Sequence, residues 1–450
     1  MLKRLLMGVL VLSLAACNAR SAAPTAAGSS SPAATQADFG TLQNVCHPGT
    51  PGSSTAQGVT ATQIQLGVMS DVGFTKNQEF GNAAKVFTAW CNAAGGVNGR
   101  KLVGTVRDTA LTQVDQQVLV ACKSDFALVG GGSALDGLGE ADRLKCLLPS
   151  YPAQTTQSNG DDLQVIGYGA GVGYNIYAPY YSWLIKEKYP DSAAKVGIIA
   201  GDVPFTKVDS AQDAETIKAL GGTVAYSDLY PAQGVTDWTP YAESIKTKNV
   251  KGLIFLGDFA SLAKLEQALD NIGYKPDWID ANSNAYGPAF VALAGSALST
   301  QVNYADLTGE YPLEQAANNP ATKQLVDLFA KYAPGAQVTY PAVRAFAAWL
   351  LFATSASACT DLTASCVYDN AIKQSAWTGG GLQAPTDLTS VSAVIKCFNV
   401  VQATAKGWTV PDFGADTGAY RCNGTPYKYT GTYPAPLTLA TVGKSMSEFK

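Results

Sequence analysis

Short apolar runs alternate with stretches of helical periodicity along most of the chain. Ile64-Gln65-Leu66-Gly67-Val68-Met69 alternates and then runs apolar before a turn, which predicts a buried strand and places the start of folded structure near Thr60. Between about Gln78 and Ala94, Phe80, Ala84, Phe87 and Cys91 recur at helical spacing, and Gly95-Gly96-Val97-Asn98-Gly99 then stops the helix. Lys101–Arg107 reads as the next strand, Gln113–Lys123 as a helix with Val114, Val118 and Cys122 on one face, and Phe126–Gly130 as another buried strand. Strands separated by single helices require crossover connections, so the pattern predicts a parallel sheet covered on both faces.

A second unit of the same kind follows a Tyr- and Trp-rich helix at Tyr174–Tyr189. Its predicted strands are Lys195–Ala200, Thr223–Leu229 and Leu253–Leu256. Its helices are Val208–Leu220, stopped by Gly221-Gly222, and one opened by Thr239 as N-cap with Pro240 at the first helical position. Leu262, Leu265, Leu269 and Ile272 mark the buried stripe of a further helix. Two of these strands end in one dipeptide, Gly201-Asp202 and Gly257-Asp258. Ligands of open α/β sheets sit at the carboxyl ends of the strands, so these aspartates face a common mouth on one reading and cap their following helices on the other.

The first residues change the picture. Lys3 and Arg4 precede the apolar run Leu5–Leu12, too short to span a bilayer, and Leu14-Ala15-Ala16-Cys17 resembles a bacterial lipobox. That resemblance implies removal of residues 1–16 and lipid attachment to Cys17. Removal takes away Lys3 and Arg4 and leaves 29 basic side chains against 35 acidic ones, a net charge of −6. Nucleic acid, which demands clustered Lys and Arg, is not an expected partner. Asn18–Ala37 is almost wholly Ala, Ser, Thr, Gly and Pro and reads as a tether, with the linker taken to residue 57.

Besides Cys17 there are eight cysteines, Cys46, Cys91, Cys122, Cys146, Cys359, Cys366, Cys397 and Cys422, an even number that favours disulfides in an exported chain. Connectivity is not fixed by sequence. Proximity suggests Cys122–Cys146, Cys359–Cys366 and Cys397–Cys422, leaving Cys46–Cys91. With no Cys-x-x-Cys pair and one histidine, His47, in a Pro/Gly/Ser-rich stretch, no metal site and no cofactor is expected. Catalytic signatures are also missing: no Gly-x-Ser-x-Gly elbow, no phosphate-loop Gly-Lys-Ser/Thr, and glycines at Gly167, Gly169, Gly171 and Gly173 that alternate instead of taking dinucleotide-loop spacing. The chain is therefore read as a non-enzyme; the catalytic alternative is a carboxylate-based hydrolase.

Four segments carry a family resemblance: Ile64–Ser70, the turn Gly95-Gly96-Val97-Asn98-Gly99-Arg100-Lys101-Leu102, the step Val129-Gly130-Gly131-Gly132-Ser133, and Tyr230–Trp238. Together, over about residues 58–350, they resemble the type I periplasmic-binding proteins, specifically the Leu/Ile/Val-binding branch that serves ABC importers. The resemblance implies an α/β fold of two doubly wound parallel-sheet lobes joined by a three-segment hinge, with lobe 1 at 58–172 and 302–385 and lobe 2 at 173–301 and 386–450. It implies capture of a small polar solute, an amino acid or related amide or carboxylate, by hinge closure, with delivery to an importer permease and membrane contact through the lipid alone. A surface lipoprotein that senses the same kind of solute and signals to a protein is the alternative on the same fold.

The resemblance also implies a recognition plan, in which hydroxyls and backbone N–H groups of lobe 1 meet an anionic ligand group. Ser133 fits that role, and Ser70, Asp71 and Gly73 lie at the equivalent edge, with Tyr151 and Gln154 as further candidates. From lobe 2, Tyr174, Asp202, Phe205, Asp258 and Tyr286 are expected to supply closure contacts, an acidic side chain pairing with a ligand ammonium.

Overall fold

The computed structural model describes residues 37–52, 54 and 56–450. The leader at 1–16, Cys17 and the tether as far as residue 36 lie outside the described residues. Strands β1 (Ala37–Phe39) and β2 (Leu42–Cys46) form an antiparallel hairpin inside the stretch expected to be linker. Phe39, Val45 and Cys46 are fully buried in the first lobe's core, and the Thr41 amide donates to the Gly380 carbonyl. Folded structure thus starts about twenty residues earlier than the alternation at Ile64 indicates, because three buried side chains anchor a hairpin too short to show periodicity.

The first sheet follows the predicted order. It contains β3 (Gln63–Ser70), β4 (Lys101–Asp108), β5 (Ala127–Val129) and β6 (Ser150–Tyr151), all parallel, in the order β4-β3-β5-β6. Helices α1 (Glu79–Ala93), α2 (Val114–Ser124) and α3 (Gly137–Lys145) form its crossovers. The glycine turn after α1 works as a clamp: Gly96 accepts from the His47 amide, and a side chain at Gly95, where φ is +108°, would lie 2.5 Å from the Pro48 nitrogen.

The connection to the second lobe is helical from Ala178, beginning as α4 (Ala178–Ser182) and continuing with π winding over Trp183–Lys188. Tyr174 and Asn175, predicted as helix, instead form the two-residue strand β7. The second sheet holds β8 (Val196–Gly201), β9 (Val224–Tyr230), β10 (Gly252–Leu256), β11 (Trp278–Asp280), β12 (Asn303–Asp306), β13 (Val400–Thr404) and β14 (Gly407–Thr409), ordered β14-β13-β12-β11-β10-β8-β9 with β13 and β14 antiparallel. Pairing of β12 with β11 puts residues 303–306 in this sheet, beyond the expected boundary at 301. Helices α5 (Pro204–Ala219), α6 (Thr239–Thr247) and α7 (Phe259–Asn271) connect its parallel strands. Both faces are covered: Leu253 and Phe255 pack in one apolar cluster with Leu262, Leu265 and Leu269 of α7, whereas Ile254 packs in another with Tyr180 and Trp183. Strand alternation thus sends neighbouring residues into opposite cores. Thr239 is the first helical residue of α6 rather than its cap, and its amide donates to the Asp237 carboxylate.

Helices α8 (Pro320–Tyr332), α9 (Tyr340–Ser357) and α10 (Ala364–Ala371) return to the first lobe. Nearly all of α9 is buried, as its apolar circumference requires, and Trp349 stacks on Phe87 at 5.6 Å between ring centres. Trp349 also explains Gly130, where φ is +66° and an added Cβ would sit 2.5 Å from the indole. The glycine step after β5 is therefore a packing requirement.

Three chain segments cross between the lobes and bind one another. The Gln383 side chain donates to the Gly167 carbonyl (2.8 Å), the Ala384 amide to Gly309 (2.7 Å) and the Leu307 amide to Asn399 (3.1 Å). A fourth crossing, at the C-terminus, departs from the expected division, which gave all of 386–450 to lobe 2. On lobe 2, Glu215 of α5 accepts from Tyr427, Thr430, Gly431 and Tyr433. On lobe 1, the Leu437 and Leu439 amides donate to Asp161 (2.6 Å) and Asp162 (2.7 Å), and Leu439 and Phe449 pack on Leu144 and Leu163.

Four disulfides form: Cys122–Cys146, Cys359–Cys366 and Cys397–Cys422 are the pairs proximity suggests, and Cys46–Cys91 is the pair left over. The first clamps the hairpin onto α1 and, closing 45 residues, stabilises by about 4 kcal/mol through loop entropy. Removing residues 437–450 should uncover Leu144 and Leu163 and lower the unfolding free energy by about 3–6 kcal/mol, the burial of two large apolar side chains. A urea titration checks this; an unchanged midpoint would show that the tail does not brace the first lobe.

Candidate functional site

The carboxyl ends of the two sheets meet at one junction. Gln154, just past β6, donates across it to Asn284, just past β11, at 3.4 Å. Aspartates occupy six of the strand ends at this junction: Asp71, Asp108, Asp202, Asp258, Asp280 and Asp306. Their surroundings separate them into different roles.

Asp71 is buried and fills the anion cradle expected at Ser133. The Ser133 hydroxyl donates to Asp71 Oδ1 (2.8 Å), the Ala134 amide to Oδ2 (2.7 Å), and the Thr109 hydroxyl also donates to Oδ1. Ser133 is therefore not free to receive a ligand carboxylate, because the chain supplies its own. Asp108 accepts from the Gly73 amide (2.9 Å), and a Cβ at Gly73 would lie 2.3 Å from Asp108 Oδ2, so a side chain there would displace that carboxylate. Ser70 is buried, with its carbonyl accepting from the Thr109 amide (2.9 Å).

On the opposite lip, Asp258 caps α7, accepting from the Ser261 amide at 2.8 Å, which fits the capping reading of that residue. Asp202 is half exposed and pairs with Lys207 at 2.5 Å. Phe205 is half buried on the first turn of α5, one helical turn before Asp209, which is also half buried. Three expected contacts lie elsewhere. Tyr151 is fully buried against Phe352, Tyr174 pairs in β7 with Lys428, and Tyr286 is buried on Trp408 with its hydroxyl bridging Glu314 and the Leu313 amide. Apolar packing claims the Tyr151 and Tyr286 rings, a use that residue type alone does not distinguish from ligand contact.

Sequence reasoning missed the centre of the junction. Arg344 is the only charged residue of α9, and its guanidinium lies between two aromatic faces, 3.6 Å from the Tyr168 ring centre and 4.3 Å from that of Tyr340. Nε donates to Glu310 and Nη2 to Thr308, whose hydroxyl is also 2.7 Å from that of Tyr340. Tyr168 is fixed from the first lobe by Thr155, 3.2 Å from its hydroxyl. Burial alone would lower the arginine's pKa, but Tyr340 and Glu310 outweigh it and the net direction is up, so the charge persists. One charge within an otherwise apolar eighteen-residue helix was the available signal.

Beneath the junction lies a buried acid network. Tyr180 donates to Asp280 (3.3 Å), the Tyr181 hydroxyl lies between Asp213 (3.1 Å) and Asp280 (3.3 Å), and Asp306 accepts from the Thr308 amide while its second oxygen is enclosed without a partner among the described residues. Burial is the main cause that raises Asp280 to about 7, Asp213 and Asp306 to about 8, and Glu310 to about 7.

The family model described as periplasmic binding protein matches residues 66–408. The chain belongs to that family of binding proteins. The periplasmic binding protein resembles solved structures of the type I fold at low sequence identity. One is a fatty acid ABC transporter substrate-binding protein from Thermomonospora curvata, at 15% identity over 86% of this chain and 97% of that one, with a TM-score of 0.67. Another is a leucine binding protein from Thermotoga maritima, at 13% identity over 77% of this chain and 97% of that one, TM-score 0.63. A third is a branched chain amino acid ABC transporter from Thermus thermophilus with bound valine, at 15% identity over 79% and 96%, TM-score 0.64. No curated protein matches the sequence. Among the described residues no helix is long and apolar enough to cross a membrane.

The raised carboxyls set a pH dependence. In the unfolded chain Asp and Glu release their protons near pH 4, whereas Asp213, Asp280, Asp306 and Glu310 hold theirs to about 7–8. Across that window the unfolded state binds fewer protons, so stability is full below pH 4 for these groups and falls as pH rises through 8. Glu215, held down at about 2 chiefly by its hydrogen bond from Tyr433, acts oppositely, but only below its ordinary value of 4.5. The unliganded protein should therefore melt at a higher temperature at pH 5 than at pH 8.5. A calorimetric series checks this, and a melting temperature that rises with pH would contradict it.

Proposed function

We propose that this periplasmic binding protein is the extracytoplasmic solute receptor of an ABC importer, anchored through lipidated Cys17. It captures a small polar solute, an amino acid or related amide or carboxylate, between its lobes by hinge closure and presents it to the permease. The observation that carries this reading is that the carboxyl ends of both sheets face one junction, bridged by Gln154 and Asn284 and joined by the braided crossings. Polar side chains on both lips give such a solute contacts that are complete only when the lobes meet. Phe205 and Asp202 on one side and Gln154 on the other are the groups available for this.

Thermal-shift screening of the full chain in detergent against amino acids, amides, urea and aromatic acids tests the reading. A ligand at 100 times its dissociation constant should stabilise the fold by about 2.7 kcal/mol and raise the melting temperature by several degrees. Uniform failure of the whole panel on folded protein would argue against solute capture.

A further inference from the structure

We propose that the first lobe holds a small oxyanion of the phosphate or sulfate class in a cavity against Arg100, at the end of its sheet away from the junction of the lobes. Five arginines lie among the described residues, and four of them pair with a carboxylate: Arg107 with Asp125, Arg143 with Glu140, Arg344 with Glu310 and Arg421 with Glu187. Arg100 has no such partner among the described residues, which include every Asp and Glu of the chain. It is nevertheless buried, with 4% of its surface exposed. Nε donates to the Thr60 carbonyl (2.9 Å) and Nη2 to that of Gly52, and Nη1 donates to nothing among the described residues. Two carbonyls occupy N–H groups without cancelling the charge, and a buried cation left uncompensated is costly.

Arg100 lines a cavity of about 200 Å³, room for several waters or for one tetrahedral oxyanion. Its walls come from three separate segments: the loop at Thr50 and Gly52 behind the hairpin, the glycine turn at Asn98 and Arg100, and Thr360 ahead of α10. Asn98 ties two of these walls together, its amide donating to the Ser357 carbonyl at 3.2 Å. The Thr50, Gly52 and Thr360 amides donate to no group among the described residues, and no acidic side chain lines the space. Asp361, next to Thr360 in the chain, is exposed and is not part of the lining. N–H donors on separate walls suit an anion with several acceptor oxygens, and the open edge of a guanidinium suits two of them at once. Arg100 precedes β4, and Asp108 at the far end of that strand is about 25 Å away, so this cavity is not where a solute between the lobes would sit.

The test is calorimetric titration of the full chain in detergent at constant ionic strength set with chloride. The probes are inorganic phosphate and glycerol phosphate, the latter the headgroup fragment of a phospholipid. Phosphate should bind one to one, and Arg100→Gln should weaken it about tenfold or more, the loss of a buried charge partner. Arg100→Lys, which keeps the charge without the fork, should bind with intermediate affinity. Thr360→Glu leaves the arginine in place and supplies the missing carboxylate from an exposed position, so it stands in if the glutamine variant fails to fold. It should melt above the wild-type protein in phosphate-free buffer and no longer bind phosphate. Binding of inorganic phosphate identifies the free ion as the ligand, and binding of glycerol phosphate alone identifies a lipid headgroup; either supports the site if Arg100→Gln or Thr360→Glu removes it. Absence of binding by both probes, or an affinity that survives both substitutions, would overturn the assignment. Neither result bears on solute capture between the lobes.

Discussion

The arrangement of the lobes depends on one buried cation. A guanidinium removed from water costs several kcal/mol unless its faces and edges are matched, and Arg344 meets that requirement with two tyrosine rings, a glutamate and a threonine. Those partners come from different crossings: Tyr168 from the first, Thr308 and Glu310 from the second, and Tyr340 with Arg344 itself from the helix that refills the first lobe. Satisfying one side chain therefore specifies how three chain segments meet. The braid of Gln383, Gly167, Gly309, Ala384, Leu307 and Asn399 then extends this fixed point along the junction.

Around that point the two lobes are built unequally. The first has four parallel strands and draws the largest single share of its core from α9, whose Trp349 leaves no room for a side chain at Gly130. The second has a seven-stranded sheet with a separate apolar cluster on each face. The C-terminal tail links them again, tied by Glu215 to one lobe and by Asp161, Asp162, Leu439 and Phe449 to the other. From Tyr433 to Leu437 the tie is only four residues long, a reach of about 14 Å when fully extended, which limits how far the lobes can part there.

Much of this was legible in the sequence because strand and helix periodicity reports burial directly. Ile64–Met69, the stripe of Leu262, Leu265 and Leu269, and the glycine stops all correspond to observed elements. Three cysteine pairs are those that proximity suggests, and Cys46–Cys91 is the pair left over. Elements with too few residues to show a period were not legible, which is why the hairpin at 37–46, β7 and the tail's return to the first lobe escaped. The site was less legible than the fold. Asp71 and Ser133 were identified as neighbours at one edge, but sequence could not show that they bind each other and so close the expected cradle. Tyr151 and Tyr286 are aromatic residues near strand ends whose rings turn into the core. Arg344 lay outside the considered strand ends altogether, since its importance comes from chain segments 34 to 176 positions away in sequence that meet only in the fold.

The central claim is that the cleft closes on a solute about the junction centred on Arg344. Small-angle X-ray scattering of the full chain, with and without a solute that stabilises it, measures this most directly. Binding should reduce the radius of gyration of the wild-type protein and leave that of Arg344→Gln unchanged at the same solute concentration. An identical radius in the free and saturated wild-type protein would contradict closure about this junction.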